Sequence, residues 1–385
     1  MQFKELLTGI DSLYVSYKGT LKESVRIDLL EKKALAQSEN EKEQALATVT
    51  VDDHYFAVKD RGTKYYSYIL EDNWYHIQIS TSERKITPTV YVKISSELLT
   101  CLGLNESLNK LREIVNKLLS GVEGEKMSRA DLFVDFVTDK NLEKIEKQSW
   151  ITRAEDTRMH WKRDRFTGWS IGEGGEISAR LYDKTLEIEK SHKYYLKEIW
   201  DKQDWDKEQK VWRFEFQLRR EFLEQMSIST FSDLVSKIND TWRYCTHNWL
   251  RLIMVDKTIN RTRWRTNPLW EKIQKIRFLD GNYTGVTRFI DKSRIPSDKM
   301  IYLCGMGPIT AFSAKEGYDD INEDTINNYL TKAKKFLKEY TKGSDIYKDD
   351  EDYLKTKIGL KKKKYNKALS KTVCYITNLS EKPQP

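Results

Sequence analysis

The sequence predicts an α+β protein: a central antiparallel β-sheet flanked by helices, followed by a mainly helical C-terminal region. Three observations carry this expectation. Ser128 to Val137, Glu176 to Lys184 and Val211 to Arg219 each alternate apolar with polar side chains, the period-two pattern of a strand with one buried face. A charged segment with the make-up of a helix, Thr185 to Trp200, separates the last two and gives a strand, helix, strand order. From Glu221 to Val255, and again around Ile321 to Tyr340 and Asp350 to Leu369, the pattern turns helical.

Earlier in the chain, Ser12 to Tyr17, Tyr65 to Leu70, Tyr75 to Ser80 and Thr89 to Ile94 are rich in β-branched and aromatic residues and read as further strands. Leu21 to Ala47, loaded with Lys, Glu, Ala and Leu, suits a helix with a wet face. Leu104 to Leu119 suits an amphipathic helix ended by Ser120-Gly121. A basic stretch, Lys257 to Arg265, and an irregular glycine-bearing segment precede the late helices, and no internal repeat is present. The 385 residues leave room for one large domain and a smaller one. The boundary is expected near residue 256, separating a catalytic region, 1–255, from a C-terminal helical region, 256–385, suited to DNA recognition or partner binding.

Composition narrows the class. With 11 Trp and 21 Tyr but only 17 Gly and 6 Pro, the chain is too aromatic to be disordered and too poor in breakers to be fibrous. Lys and Arg exceed Asp and Glu by eight, and a pI of about 8.9 favours a polyanionic partner. Cys101, Cys245, Cys304 and Cys374 form no CxxC pair, so a structural zinc site is not expected and reduced thiols in a cytoplasm are the simplest reading. Met1 to Leu7 lacks the order of a signal peptide, and the best apolar stretch, Trp249 to Val255, is short and contains Arg251. A soluble, cytoplasmic protein is the expectation.

The three later strands concentrate the chemistry. Residues two apart on a strand share a face. Ala130, Leu132, Val134 and Phe136 therefore oppose Arg129, Asp131, Phe133 and Asp135. Ile177, Ala179 and Leu181 oppose Ser178, Arg180, Tyr182 and Lys184. Trp212, Phe214, Phe216 and Leu218 oppose Arg213, Glu215, Gln217 and Arg219. If the strands share a sheet whose apolar side is covered by helices, its other side presents Asp131, Asp135 and Glu215 beside Tyr182, with Arg129, Arg180, Lys184 and Arg213 around them. Clustered carboxylates repel unless a cation neutralises them, and all-oxygen ligands suit Mg²⁺ or Mn²⁺. The solvated side of an ordinary half-wet sheet carries the same residue types, so spacing alone does not select Tyr182.

Taken in order, Ser128-Arg129-Ala130-Asp131-Leu132-Phe133-Val134-Asp135, Thr167-Gly168-Trp169-Ser170-Ile171-Gly172, Arg180-Leu181-Tyr182-Asp183-Lys184 with Glu187, and Trp212-Arg213-Phe214-Glu215-Phe216 resemble the Rep_trans, or replication initiation factor, family. That family comprises rolling-circle replication initiators and relaxases of some integrative conjugative elements. The similarity runs from about Ser12 to about Val255. It implies a relaxase-like antiparallel sheet flanked by helices, often in a homodimer, that nicks one DNA strand and becomes attached to its 5′ end. Carried over, Tyr182 is the nucleophile, assisted by Arg180 and Lys184. Asp131 and Glu215 are the metal ligands implied, with Asp135 a third. Separately from the resemblance, His160, just before the tyrosine strand, is either a further ligand or a surface or DNA-contacting loop residue.

Two features depart from better-known nicking enzymes and motors. There is no His-hydrophobic-His pair, so the metal must rest on carboxylates. There is also no GxxxxGK[ST] phosphate loop, so a separate helicase is implied. DNA contacts are expected from Arg129 and Arg213, from Arg158, Lys162 and Arg163, and from Arg261, Arg263 and Trp264, where cations interleave with rings. The reading is a site-specific nicking enzyme that initiates rolling-circle replication of a mobile element. The same chemistry in conjugative transfer, or a non-catalytic DNA-binding regulator on the same fold, stays open.

Overall fold

A computed structural model describes residues 2–81, 87–256, 261–278 and 298–365. A long strand, β1 (Phe3–Leu21), leads into helices α1 (Glu23–Gln37) and α2 (Glu41–Leu46). Short strands follow: β2 (Thr48–Val51), β3 (His54–Val58), β4 (Tyr68–Glu71), β5 (Tyr75–Ile79) and β6 (Val90–Ile94). Helices α3 (Ser96–Leu102) and α4 (Leu104–Leu118) run straight into the second long strand, β7 (Leu119–Thr138). Then come β8 (Trp150–Thr152), β9 (Thr157–Lys162), β10 (Arg165–Ile171), β11 (Ile177–Asp183), helices α5 (Lys184–Ser191) and α6 (Tyr195–Asp201), and β12 (Trp212–Arg219). Helices α7 (Arg220–Gln225) and α8 (Phe231–Tyr244) precede a π turn, strand β13 (Leu250–Leu252) and helix α9 (Pro268–Gln274). The last helices are α10 (Asp298–Glu316), α11 (Glu323–Thr341) and α12 (Asp350–Tyr365).

These elements divide into two compact units. One holds residues 2–21 and the described part of 74–278; the other holds 22–73 and 298–365. In the first, an antiparallel sheet runs in the order β5-β6-β1-β7-β12-β11-β10-β9. Its apolar face is filled by the strand residues that alternation selects: Leu132, Val134, Phe214, Phe216, Ala179 and Leu181 are all buried. Against it pack Trp242 of α8, Trp249 of the π turn and Trp270 of α9, edge-on to Phe214 and Phe216 with ring centres 4.9–6.4 Å apart. Burying each such ring contributes about 1.5–3 kcal/mol, and the indole N–H of Trp242 and of Trp270 donates to a main-chain carbonyl rather than being stranded. Helix α4 adds Leu104, Leu108, Leu111, Val115 and Leu118, at spacings of three and four. Helix α8 starts at a reciprocal cap between Thr230 and Asp233.

In the second unit, β2, β3 and β4 form an antiparallel run. Its helices are tied by polar bonds: Lys42 of α2 pairs with Asp352 of α12, and Glu41 accepts from the Tyr347 hydroxyl at 2.6 Å and pairs with Lys357.

The expected fold class is the one adopted, an antiparallel sheet flanked by helices with a helical C-terminal region, and several local expectations are corrected. The helix expected over Thr185 to Trp200 is two helices, α5 and α6, because His192 takes a left-handed conformation. Strands β2 and β3 went unread, although Thr48–Val51 and His54–Val58 flank a turn in which Asp52 is left-handed. The helical pattern expected to Val255 gives way at Leu250, which pairs with β8. Part of the irregular middle is helix α10, while the stretch 257–260, residues 279–297, Cys374 and the end of the last expected helix, 366–369, lie outside the described residues. The expected break near residue 256 is not a unit edge, because α9 packs beneath the first unit's sheet while 22–73 joins the late helices. Among the described residues no helix is long and apolar enough to cross a membrane.

Candidate active site

Register places the expected residues on one face of the sheet. Tyr182 of β11 lies opposite Arg213 of β12, which lies opposite Asp135 of β7. Arg180 faces Glu215, and Asp131 faces Gln217, two residues from Glu215 on the same side. The Tyr182 hydroxyl donates to Glu215 Oε2 at 3.1 Å, while Oε1 of the same carboxylate pairs with Arg180. Arg129 forks onto Asp131, with contacts of 2.7 and 2.5 Å. Directly after the tyrosine, Asp183 caps α5 by accepting from the Leu186 amide at 2.9 Å and also pairs with Arg165. Tyr182 is thus held at a rigid strand-to-helix junction.

Gly168 of β10 lies across from Tyr182 with φ near +151°; a Cβ there would sit 2.0 Å from the Leu181 carbonyl oxygen and 2.9 Å from Tyr182 Cα. Only glycine lets β10 approach the tyrosine strand so closely.

This face is not the wet side of an ordinary sheet. Asp131, Asp135, Arg213, Glu215 and Lys184 are all buried. At the Asp135 end, α5 and α6 bring an apolar cluster that includes Ile188, Tyr195, Leu196, Trp200 and Val211, and the Trp200 indole N–H donates to Asp135 at 3.1 Å. The Arg213 guanidinium grips Asp135 at 2.6 and 2.7 Å, also pairs with Asp11, and lies 3.7 Å over the Phe133 ring.

Three expectations are corrected by this network. Arg213 is too buried to contact DNA. Asp135 is taken up by Arg213 and by the Trp200 indole, four residues along β7 from Asp131. His160 bonds the Ser170 hydroxyl at 2.7 Å on β9, three strands and roughly 14 Å from β12, out of reach of Glu215. Asp11 was missed by sequence reasoning. It falls at a register shift in β1 between Ile10 and Ser12, and such a bulge re-aims a side chain that alternation would assign elsewhere.

Charge follows burial. Burial, then Glu215, push the Tyr182 phenol well above its ordinary value, with Arg213 pulling the other way. Burial raises the Asp131 carboxyl, Glu215 adds to it, and Arg129 offsets only part, leaving it at about 6. Burial, then Arg213, bring the Lys184 ammonium down to about 8; it pairs with Glu187 at 2.5 Å and lies 5.6 Å from the Tyr182 ring centre. Asp11 is held well below the carboxylate range against the cost of burial by Lys193, Arg213, Lys184 and Arg180.

Among the described residues, no three His, Cys, Asp or Glu side chains gather as a metal-ligand group. Asp131 and Glu215 do fit a hard cation in part. They are two oxygen donors on adjacent strands, one with its proton affinity raised by the other, and Mg²⁺ commonly takes one or two carboxylates with water and substrate phosphate completing its shell.

The Asp131 shift has a consequence for stability. A carboxyl whose folded value is about 6, against an ordinary 3.8, binds its proton more tightly in the folded chain, so stability falls as pH rises through that window. Without divalent cations, Asp131→Asn is therefore expected to melt a few degrees above the parent protein at pH 7.5, with the difference gone at pH 4. Thermal melts at both values check this; a variant less stable than its parent at pH 7.5 contradicts it.

The remaining expected DNA contacts separate by exposure. Arg158, Lys162 and Arg163 are exposed on edge strand β9 and its turn, with Arg158 near Asp156 and Glu173, both at 3.3 Å. Arg263 is exposed, but Trp264 is buried and offers no ring to a base. Arg261 donates to the main-chain carbonyls of Gln148 and Trp150.

Fold and site together define an antiparallel sheet presenting the Tyr182 phenol among paired carboxylates and guanidinium groups. No family model matches the chain, and no curated protein matches it. Among solved structures, a rolling circle replication initiator protein from Geobacillus stearothermophilus aligns with 15% identity and a TM-score of 0.40, covering 72% of this chain and 98% of that one. The functional reading therefore rests on the residues of the site.

Proposed function

We propose that this protein nicks one strand of DNA by transesterification onto Tyr182 and so initiates rolling-circle replication of a mobile element. The observation that carries the reading is the bond from the Tyr182 hydroxyl to Glu215, on the sheet face that also holds Asp131. With its phenol pushed above the ordinary range, Tyr182 is not a standing phenolate, so its proton leaves as attack proceeds. Glu215 Oε2 is placed to accept that proton. The Tyr182 oxygen bonds to phosphorus, the bond from phosphorus to the 3′ oxygen breaks, and the 3′ oxygen takes up a proton. A 5′-phosphotyrosine and a free 3′-hydroxyl result. The hydroxyl primes synthesis, and the ester keeps the energy needed for rejoining.

Arg180, part-exposed beside Tyr182, is the cation suited to the phosphate oxygens, with the Lys184 ammonium close to the Tyr182 ring and Arg213 balanced by Asp135 and Asp11. Mg²⁺ or Mn²⁺, when bound, would be held by Asp131 and Glu215 and would polarise the phosphate. Arg158, Lys162, Arg163 and Arg263 supply outer contacts to DNA. Unwinding falls to a separate helicase, and the late helices are left for origin recognition, partner binding or a second copy of the chain.

The test is incubation with supercoiled plasmid carrying the DNA that flanks this protein's own gene, with Mn²⁺ or Mg²⁺. Open-circular DNA bearing protein that survives detergent is expected. DNA that is shifted in a gel but never cut with either metal would identify a regulator instead.

A further inference from the structure

The sheet face that holds Tyr182 continues past the acids. Arg129, forked onto Asp131, lies opposite Tyr14 of β1, and Tyr14 lies opposite Lys93 of β6. Tyr91, two residues from Lys93, shares its side. The guanidinium of Arg129 sits 5.0 Å from the Tyr14 ring centre, the Lys93 ammonium sits 5.8 Å from the same ring, and the two tyrosine rings are 5.8 Å apart and inclined at 39°. Tyr14 and Tyr91 are half-buried and Lys93 is exposed. On the reverse side, Leu13, Val15, Val90, Val92 and Ile94 are buried in the core, which pins these strands and leaves the tyrosines no choice but to face outward.

We propose that Tyr14 and Tyr91, with Lys93 and Arg129, form a stacking platform for unpaired bases of the DNA strand cut at Tyr182. The proposal rests on the nicking reading for its choice of ligand. Rings beside cations on an outer sheet face match a single strand on both counts: a base has a flat face to stack, and each nucleotide carries a phosphate to pair. Duplex DNA hides its base faces and cannot use the rings.

The patch is also continuous with the site, through Arg129 and Asp131. From Tyr182 it lies three strands across and six residues along, roughly 25 Å by ordinary strand spacings. That is within the reach of the about 4–16 nucleotides that single-strand grooves hold. Because the cut releases a free end, a platform at this distance keeps the strand aligned on the protein while the 5′ end is held covalently.

Binding is measured by fluorescence anisotropy on labelled oligothymidylate of about 20 nucleotides, with metal chelated so that nothing is cut. Tyr14→Ala and Tyr91→Ala are each expected to weaken binding about tenfold, from the worth of one stacked base, while Tyr14→Phe keeps the parent affinity. Lys93→Gln, an exposed change that spares the core, is expected to lower the slope of log affinity against log salt by about 0.7, one phosphate contact.

Alanine variants that bind like a nicking-competent parent, or an unchanged salt slope in Lys93→Gln, overturn the platform and leave the nicking reading standing. Loss of affinity in Tyr14→Phe as well assigns the effect to the hydroxyl and overturns stacking. Tighter binding of a duplex of equal length, lost in the same variants, also overturns it. A parent protein that never nicks, yet binds oligothymidylate through both rings, overturns the nicking reading and leaves the platform.

Discussion

Tyr182→Phe is expected to yield a protein that binds origin DNA but forms no covalent adduct, with nicking reduced by about 10³-fold or more, the scale on which loss of a nucleophile is felt. The change removes one oxygen and retains the ring, so the packing of β11 against β12 and β10 survives. What disappears is the proposed attacking oxygen and its hydrogen bond to Glu215 at 3.1 Å. Glu215 then loses its phenol partner but keeps Arg180, so the folded state should be little affected. The check is a detergent-resistant protein–DNA adduct on a denaturing gel, run beside plasmid relaxation and a thermal melt. Adduct formation at the parent rate would show that another residue attacks and would remove Tyr182 from the mechanism.

Arg213→Ala is expected to cost about 3–5 kcal/mol of stability, the penalty for stranding a buried charge. Arg213 is buried on the sheet face that carries Tyr182 and holds two carboxylates, Asp135 at 2.6 and 2.7 Å and Asp11. Without it, Asp135 keeps the Trp200 indole among the described residues, and Asp11 keeps Lys193 at 3.7 Å. Asp135→Asn placed in an Arg213→Met background should recover part of the loss, because it removes the charge that was stranded. Urea unfolding at pH 7.5 measures both. A cost under about 1 kcal/mol for Arg213→Ala would mean that the network is solvated in solution.

These two expectations separate roles that look alike in the sequence. Arg180 and Arg213 both occupy the polar positions of amphipathic strands, yet one is part-exposed beside the tyrosine and the other is sealed below it. Asp131 and Asp135 are both buried and differ instead in partner, Arg129 for the first and Arg213 for the second. Alternation assigned all four to the face that carries Tyr182, and register agrees, since a pairing slip of one residue would have turned an entire strand over. The period of two is a local property, readable from Asp131 to Asp135 without knowledge of any neighbour.

How deep each of these residues lies was not local. Helices α5 and α6 close over Asp135 and Arg213 through Trp200, a residue 65 positions from Asp135 in the chain, and nothing in Leu132-Phe133-Val134-Asp135 signals that roof. Asp11 reaches the cluster through a bulge in β1, whose extra residue breaks the alternation that made the other positions legible. Trp264 reads as a ring among arginines but is buried, because residues 261–278 pack within the first unit.

By itself, the sequence determined the strands that carry the acidic, basic and phenolic side chains, the side of each strand that is polar, and the order of Asp131, Tyr182 and Glu215 along the chain. Only the tertiary structure decided which of those polar groups pair, which are shut away from solvent, and that Tyr14 and Tyr91 continue the same face. The division has one cause. Backbone geometry repeats every two residues along a strand and writes itself into the local pattern, whereas burial and pairing depend on segments that meet only when the chain closes on itself.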